Sequence, residues 1–298
     1  MHNVWLHRYA IVLAVATLFL VAAGASVTSN DAGLSVPDWP LSYGKVMPPM
    51  TGGIFYEHGH RMVATTVGFL TIILAVWLWR VDERRWMKWL GLASLGAVIL
   101  QGVLGGMTVL FLLPRPISIA HACLAQLFFS TTVAIAVFTS PGWKRGARMV
   151  DDAATPSMRT VALAVPSVVL CQLALGAAYR HKVLGLIPHV TGAFVVAGVV
   201  LMAAMFVLTQ FGSHQALKKA AQALVGVTIV QVFLGIAAYM SRITYIETAQ
   251  PEPVMVLLTV LHVAVGAMTM AASVVFAIQV LRNVRRVEWN SASVTAAQ

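Results

Sequence analysis

The chain has 298 residues, 59% of them hydrophobic and only 10% charged, with a formal net charge of +10. A soluble domain of this size carries about 25% charged residues, so the composition excludes a water-soluble globular fold and points to a polytopic membrane protein. The positive excess is not a nucleic-acid signal: no basic patch interleaves with aromatics, and Lys and Arg cluster in short stretches between apolar runs, as in the cytoplasmic loops of membrane proteins.

A helix needs about 20 apolar residues to cross the bilayer core. Eight stretches qualify in chain order: residues 9–28, 57–79, 88–110, 117–139, 159–179, 187–210, 219–240 and 253–281. The first follows Arg8 and contains the small-residue stretch Ala23-Gly24-Ala25, as a signal peptide would. Its apolar run of about 19 residues is longer than the roughly 7–15 of a signal sequence, so it is expected to remain as a membrane helix. Between the first two stretches lies the longest connection, residues 29–56, rich in Gly, Pro and aromatics. A long ordered loop is more often functional than idle, and this one is expected to act as a lid. Turn chemistry at Pro114-Arg115-Pro116, Ser140-Pro141-Gly142, Pro188 and Pro251-Glu252-Pro253 punctuates the later stretches.

With the N-terminus inside, fourteen of the twenty Lys and Arg residues fall on the inner side and six on the outer. The bias puts both termini in the cytoplasm. Even-numbered spans then run inward, and His60, His121, His189 and His262 all fall in the outer half of the membrane. Cys123 and Cys171 both lie inside apolar spans, with no C-x-x-C motif, so no structural disulfide or thiol metal site is expected.

The two halves repeat. The segment from His60 resembles that from His189, Gln101-Gly-Val-Leu-Gly-Gly resembles Gln231-Val-Phe-Leu-Gly-Ile, and Ile119-Ala-His121-Ala resembles Val260-Leu-His262-Val. Each half holds four spans, so the halves share one topology and are related by an axis along the membrane normal. The expected fold is all-α and integral to the membrane. Its eight transmembrane helices form two pseudo-symmetric four-helix bundles, residues 1–150 and 151–298.

Ionisable residues inside a membrane are costly and usually functional. A lone intramembrane histidine is commonly a packing residue, but four at one depth, two per repeat, point to two metal or heme sites. Imidazole suits zinc, copper and iron alike; zinc would call for further ligands, and the second half has no carboxylate beside His189 and His262. A two-histidine site fits a bis-His heme, whose porphyrin fills the equatorial positions. Gly102, Gly105, Gly106, Gly176, Gly192, Gly235 and Gly266 are candidates for admitting a flat macrocycle, or for ordinary helix packing. Gln101, Gln172 and Gln231 are expected to form interhelical hydrogen bonds.

The first half adds Glu57-His58-Gly59-His60-Arg61. Glu57 shares a helix face with His60 and with Arg61, at i+3 and i+4. His58 points elsewhere and is expected to be interfacial or hydrogen-bonded. The second half lacks this acid, so one bundle reads as a redox relay and the other as a reaction site, where Glu57 moves protons or stabilises developing positive charge. His181 has basic neighbours and no repeat partner, which suits a loop or headgroup contact.

These motifs together resemble the heme A synthase family of cytochrome oxidase assembly. The resemblance rests on Gly33-Leu34-Ser35-Val36-Pro37-Asp38-Trp39-Pro40-Leu41, the Glu57–Arg61 motif, Gln101–Gly106, His121, Pro188-His189 and His262. It implies heme b as cofactor on His189 and His262, and the substrate heme O near His60 and His121, so that all four are axial ligands of heme iron. Glu57 becomes the essential carboxylate. The implied activity is an oxidoreductase that takes the C8 methyl of heme O to a formyl by successive hydroxylation. Heme O synthase upstream and an external electron donor are the implied partners, in a bacterial cytoplasmic (inner) membrane. Some members carry cysteine pairs in outer loops; this chain has none there, so a thiol–disulfide step does not transfer. Two rivals stand: a non-catalytic bis-His cytochrome taking electrons from quinol, and a repeat transporter with a midplane site.

Overall fold

The computed structural model describes residues 3–248 and 250–287. All eight apolar stretches are helices long enough to cross a membrane. They are α1 (Val4–Ser29), α2 (Gly53–Val81), α3 (Arg85–Leu110), α4 (Arg115–Thr139), α6 (Met158–Arg180), α7 (Leu186–Gln210), α8 (Gln215–Thr244) and α9 (Pro253–Asn283). Between α4 and α6 lie a single turn, α5 (Pro141–Lys144), and a short strand, β1 (Val150–Asp152). A second strand, β2 (Val284–Arg286), follows α9.

The helices overrun the apolar windows because backbone hydrogen bonding continues past the hydrocarbon into polar residues. This matters most in α2. Gly52, with φ of 53°, caps the helix, and the amides of Ile54 and Phe55 bond to the carbonyls of Thr51 and Gly52. Residues 53–56 therefore belong to the helix and not to the loop. Glu57 and His60 sit one and two turns inside it rather than opening it.

Large apolar side chains such as Phe69, Phe194 and Phe233 stand more than 60% exposed on the helix surfaces. In water such faces would drive aggregation; against lipid they are stable, and the chain is a multi-pass membrane protein. Small polar groups turn inward instead. The hydroxyls of buried Thr17, Thr71, Thr132 and Ser273 each donate 2.7 Å bonds to a carbonyl one turn back, which satisfies them without an interhelical partner.

In the first half α1 packs on α2 and α4, α2 on α3, and α3 on α4. In the second, α6 packs on α7 and α9, α7 on α8, and α8 on α9. The core falls into matching clusters. One draws on α1–α4, with Leu13, Leu74, Met87 and Ile135 fully buried. Another draws on α6–α9, with Val165, Val207, Leu224 and Phe276. A smaller cluster of Val21, Phe129, Ala267 and Ala271 joins α1, α4 and α9.

The strands were not expected from an all-α reading. β1 and β2 pair in parallel, Val150 opposite Val284 and Asp152 opposite Arg286, so the segment between the halves is clasped to the end of α9. Arg159 adds 3.2 and 2.9 Å bonds to the carbonyls of Leu281 and Val284. Three residues per strand carry no readable alternation, and the pairing exists only because α6 and α9 lie side by side.

Candidate functional site

The four histidines lie near the N-terminal ends of α2, α4, α7 and α9, and the structure brings them to one end of the molecule. Each ring is seated in the same way. A Cβ added to Gly24 of α1 would stand 3.0 Å from Cε1 of His60, and one on Gly105 of α3 would stand 3.4 Å from Cε1 of His121. Gly176 of α6 does the same for His189, at 2.9 Å, and Gly235 of α8 for His262, also at 2.9 Å. Each histidine thus presses against a gap in the preceding membrane helix.

A glutamine stands one turn before three of these glycines and meets the same histidine. Gln101 Nε2 donates to the His121 carbonyl at 3.1 Å. Gln172 Nε2 reaches the His189 carbonyl at 2.8 Å and its Nδ1 at 3.0 Å. Gln231 Nε2 lies 3.4 Å from a ring nitrogen of His262. The spacing Gln-x-x-x-Gly puts glutamine and glycine on one face, so one turn of helix meets the facing histidine twice, through the backbone at His121, the ring at His262 and both at His189. In α1 the glutamine's place is taken by Leu20.

Six of the seven candidate glycines therefore face the protein's own side chains. Gly105, Gly176 and Gly235 seat histidines; Gly106 faces Trp39, Gly192 faces Gln172, and Gly266 faces Gln231. Only Gly102 among them borders open space.

In the second half, the rings of His189 and His262 face each other edge-on, centroids 6.2 Å apart and planes at 88°. Tyr179 stacks parallel to His189 at 6.4 Å, and the Arg242 guanidinium lies 5.8 Å from the Tyr179 ring centre. Arg180 donates a 2.8 Å bond to Ser29 of α1. In the first half, His60 and His121 are within electrostatic reach of each other, and His181, which caps α6, is within reach of His121. Nothing in the sequence pattern placed His181 there, since its approach depends on how α6 meets α4.

The connection between α1 and α2 folds back onto α2 and α3. Glu57, 4% exposed, accepts a 2.9 Å bond from the Val36 amide on one oxygen and a 2.6 Å ion pair from Arg61 on the other. Arg61 also donates to the carbonyls of Asp38 and Leu41 at 2.7 and 2.8 Å. His58 is hydrogen-bonded, its Nδ1 2.8 Å from Ser42 Oγ. Asp38 receives the amides of Tyr43 and Gly44; the Gly44 amide above all, with the Tyr43 amide and Arg61 charge behind it, holds its carboxyl below the usual carboxylate range. Trp39 then lies where a side chain on Gly106 would fall, one residue from the seat of His121. Cys123 and Cys171 are free thiols.

A family profile described as cytochrome oxidase assembly protein (COX15-CtaA) matches residues 7–192, more than half of the chain. The chain belongs to that family. The match covers Glu57, His60, His121 and His189 and stops short of His262. Among curated relatives, a heme A synthase of Bacillus licheniformis is 32% identical over 125 residues, 41% of each chain. One of Symbiobacterium thermophilum is 32% identical over 170 residues, 55% of each. One of Methylobacterium nodulans is 27% identical over 222 residues, 61% of this chain and 60% of that one. The chain spans about half the length of the curated relatives it matches.

A heme, as the family resemblance implies, can be tested against the second pair. Two imidazoles sharing one metal ion at about 2 Å each have ring centres roughly 6 Å apart, close to the 6.2 Å observed. Among the described residues no three His, Cys, Asp or Glu side chains converge, so a two-histidine centre is what this donor set fits. Nδ1 of His60, His121 and His262, and Oε1 of Gln101, Gln172 and Gln231, are buried without a partner. Such orphans cost about 1–3 kcal/mol each; these six belong to the seated histidines and the glutamines that meet them, and His58 Nε2, Ser94 Oγ and Gln126 Oε1 are the others among the described residues.

The glycine seats are testable. Gly235→Ala is expected to push His262 off its position, at an overpacking cost of about 1–3 kcal/mol, and to lower heme retention in the purified protein. Gly198→Ala, where the added carbon meets nothing within 4 Å, is expected to leave retention unchanged. Equal pigment content in both would show that the seats do not position the rings.

Proposed function

We propose that the protein oxidises the C8 methyl of heme O to a formyl through successive hydroxylation, giving heme A. The reading takes the eight helices as two pseudo-symmetric four-helix halves, residues 1–150 and 151–298. In the first, His60 and His121 hold the substrate; in the second, His189 and His262 hold a resident heme b. The single observation that carries the assignment is asymmetry. Both pairs have the same glycine seats, but the long α1–α2 connection is clamped to a helix that carries only one of them, at Glu57 and Arg61 beside His60. A pair that only relays electrons needs no lid, whereas one that exchanges a substrate does.

When bound, the resident heme supplies one-electron transfer. The chain's own residues do the rest. Gln172 and Gln231 orient the second pair. Trp39 and the loop exclude water from the first pair, which strengthens every electrostatic contact within it. Glu57, one turn above His60, is the catalytic carboxylate of this reading: fixed by Val36 and Arg61, it presents negative charge where positive charge develops, or moves the protons that hydroxylation requires. Arg180, bonded to α1, and Lys182 are positioned by sequence beside the second pair for heme propionates.

The reading implies an oxygen-atom donor as oxidant, since each hydroxylation takes two electrons from the methyl carbon and inserts one oxygen, together with an external electron donor and an enzyme of heme O synthesis upstream. The bacterial relatives support a cytoplasmic (inner) membrane location. The Lys and Arg bias supports cytoplasmic termini, with the histidines toward the outer face.

Co-expression with a heme O-producing enzyme, followed by extraction and separation of cellular hemes, tests the assignment. Heme A is expected to accumulate with this chain and not without it. Accumulation of heme O alone, with a reducible resident heme, would instead identify a bis-His electron carrier from quinol.

A further inference from the structure

At the end of the molecule opposite the histidines, a cavity of about 280 Å³ opens where α5, the segment leading to β1, the start of α8 and the end of α9 meet. Its wall includes Trp143, Arg145, Arg148, His214, Gln215 and Arg282, and no carboxylate lines it among the described residues. Arg145 and Arg148 are exposed and Arg282 half-buried. Arg282 is held in place: its guanidinium donates to the Trp143 carbonyl and stacks 4.0 Å from the Trp143 ring centre. His214 fixes the floor. It caps α8 by accepting from the Leu217 amide, and its other nitrogen lies 2.9 Å from the Arg148 carbonyl. Asn283 accepts the Arg148 amide at 3.1 Å.

Three arginines thus line a cavity together with the first turn of a 30-residue helix. The helix N-terminus presents unsatisfied amides and partial positive charge, the setting in which phosphates bind. Arginine's planar fork suits phosphate oxygens. The cavity is large compared with the roughly 10–15 Å³ that one water needs on the same measure, so it admits a headgroup and not only an ion. It also lies at the ends of membrane-spanning helices beside a tryptophan, the depth of lipid headgroups.

We infer that this cavity is a binding site for the phosphodiester headgroup of an anionic phospholipid. The bound headgroup bridges the connection between the two halves to α8 and α9. Basic pockets between transmembrane helices take such headgroups in general. The site uses none of the residues assigned to heme or substrate.

The test uses the full chain in detergent, with native mass spectrometry and thermal unfolding. Dioleoylphosphatidylglycerol is expected to be retained and to raise the unfolding temperature, while dioleoylphosphatidylcholine and inorganic phosphate do neither. Arg148→Gln and Arg145→Gln, both at exposed positions, are expected to fold as the wild type by circular dichroism and pigment content. Each should weaken phosphatidylglycerol retention, and the double variant at least tenfold. Equal retention of the zwitterionic lipid would overturn headgroup recognition. An equal shift with inorganic phosphate would overturn the lipid assignment. Unchanged retention by folded variants would overturn the site.

Discussion

Replacing His189 or His262 by alanine is expected to abolish the low-spin bis-imidazole absorbance of the purified protein, while His60→Ala and His121→Ala leave it in place. The rings of His189 and His262 face each other at 6.2 Å, and each is pressed onto a glycine and met by a glutamine. Little of that frame depends on either imidazole, so the variants should fold and lose pigment rather than collapse. Removing one axial ligand leaves a five-coordinate iron or none; either result is visible in the reduced spectrum. If both variants kept the wild-type spectrum, the ligand assignment would be wrong. If only the first pair mattered, the two halves would have exchanged roles.

The second large effect is expected at Glu57. Glu57→Ala should lower heme A formation by at least about 100-fold, the scale of a lost acid–base group, and leave the resident heme bound. The structure adds a second route to the same loss. Both Glu57 oxygens are engaged, one by the Val36 amide and one by Arg61, so alanine also strands a half-buried guanidinium. Breaking a buried pair costs about 3–5 kcal/mol; the Arg61 bonds to the Asp38 and Leu41 carbonyls keep the loss near the lower figure. Arg61→Ala separates the two routes. It releases the loop but keeps the carboxylate, so a deficit as deep as that of Glu57→Ala marks the clamp as the main contribution. A much smaller deficit marks the carboxylate itself. Normal heme A yield from Glu57→Ala would sink both.

Much of the architecture was legible before any coordinates. Eight apolar runs, the inward-facing cation bias and the paired histidines follow from composition and spacing alone, because lipid demands long, internally hydrogen-bonded helices. The Glu57–Arg61 pair follows from i, i+4 spacing on a helix. The glutamines were expected to bond across helices; that their partners are the histidines was not. Gly24 went unnoticed because it sits among other small residues of α1, although its counterpart Gly176 follows Gln172 by four residues in the pattern shared by Gln101 and Gln231. That i, i+4 repeat was the available signal. The other glycines leave macrocycle and helix packing open as alternatives in the sequence, since a small residue shows that space is made but not what fills it.

The sequence by itself determined what must lie in lipid, which residues are too costly to be there without a purpose, and that they come in two sets. Those properties are local, set by transfer free energy and helix periodicity residue by residue. Only the tertiary structure decided which helix seats each histidine, that the long connection is clamped to the helix of His60 by way of Glu57 and Arg61, and that arginines from separate segments meet in one cavity at the far end. Those arrangements depend on which helix faces pack together, and helices that are apolar all round carry almost no record of their neighbours.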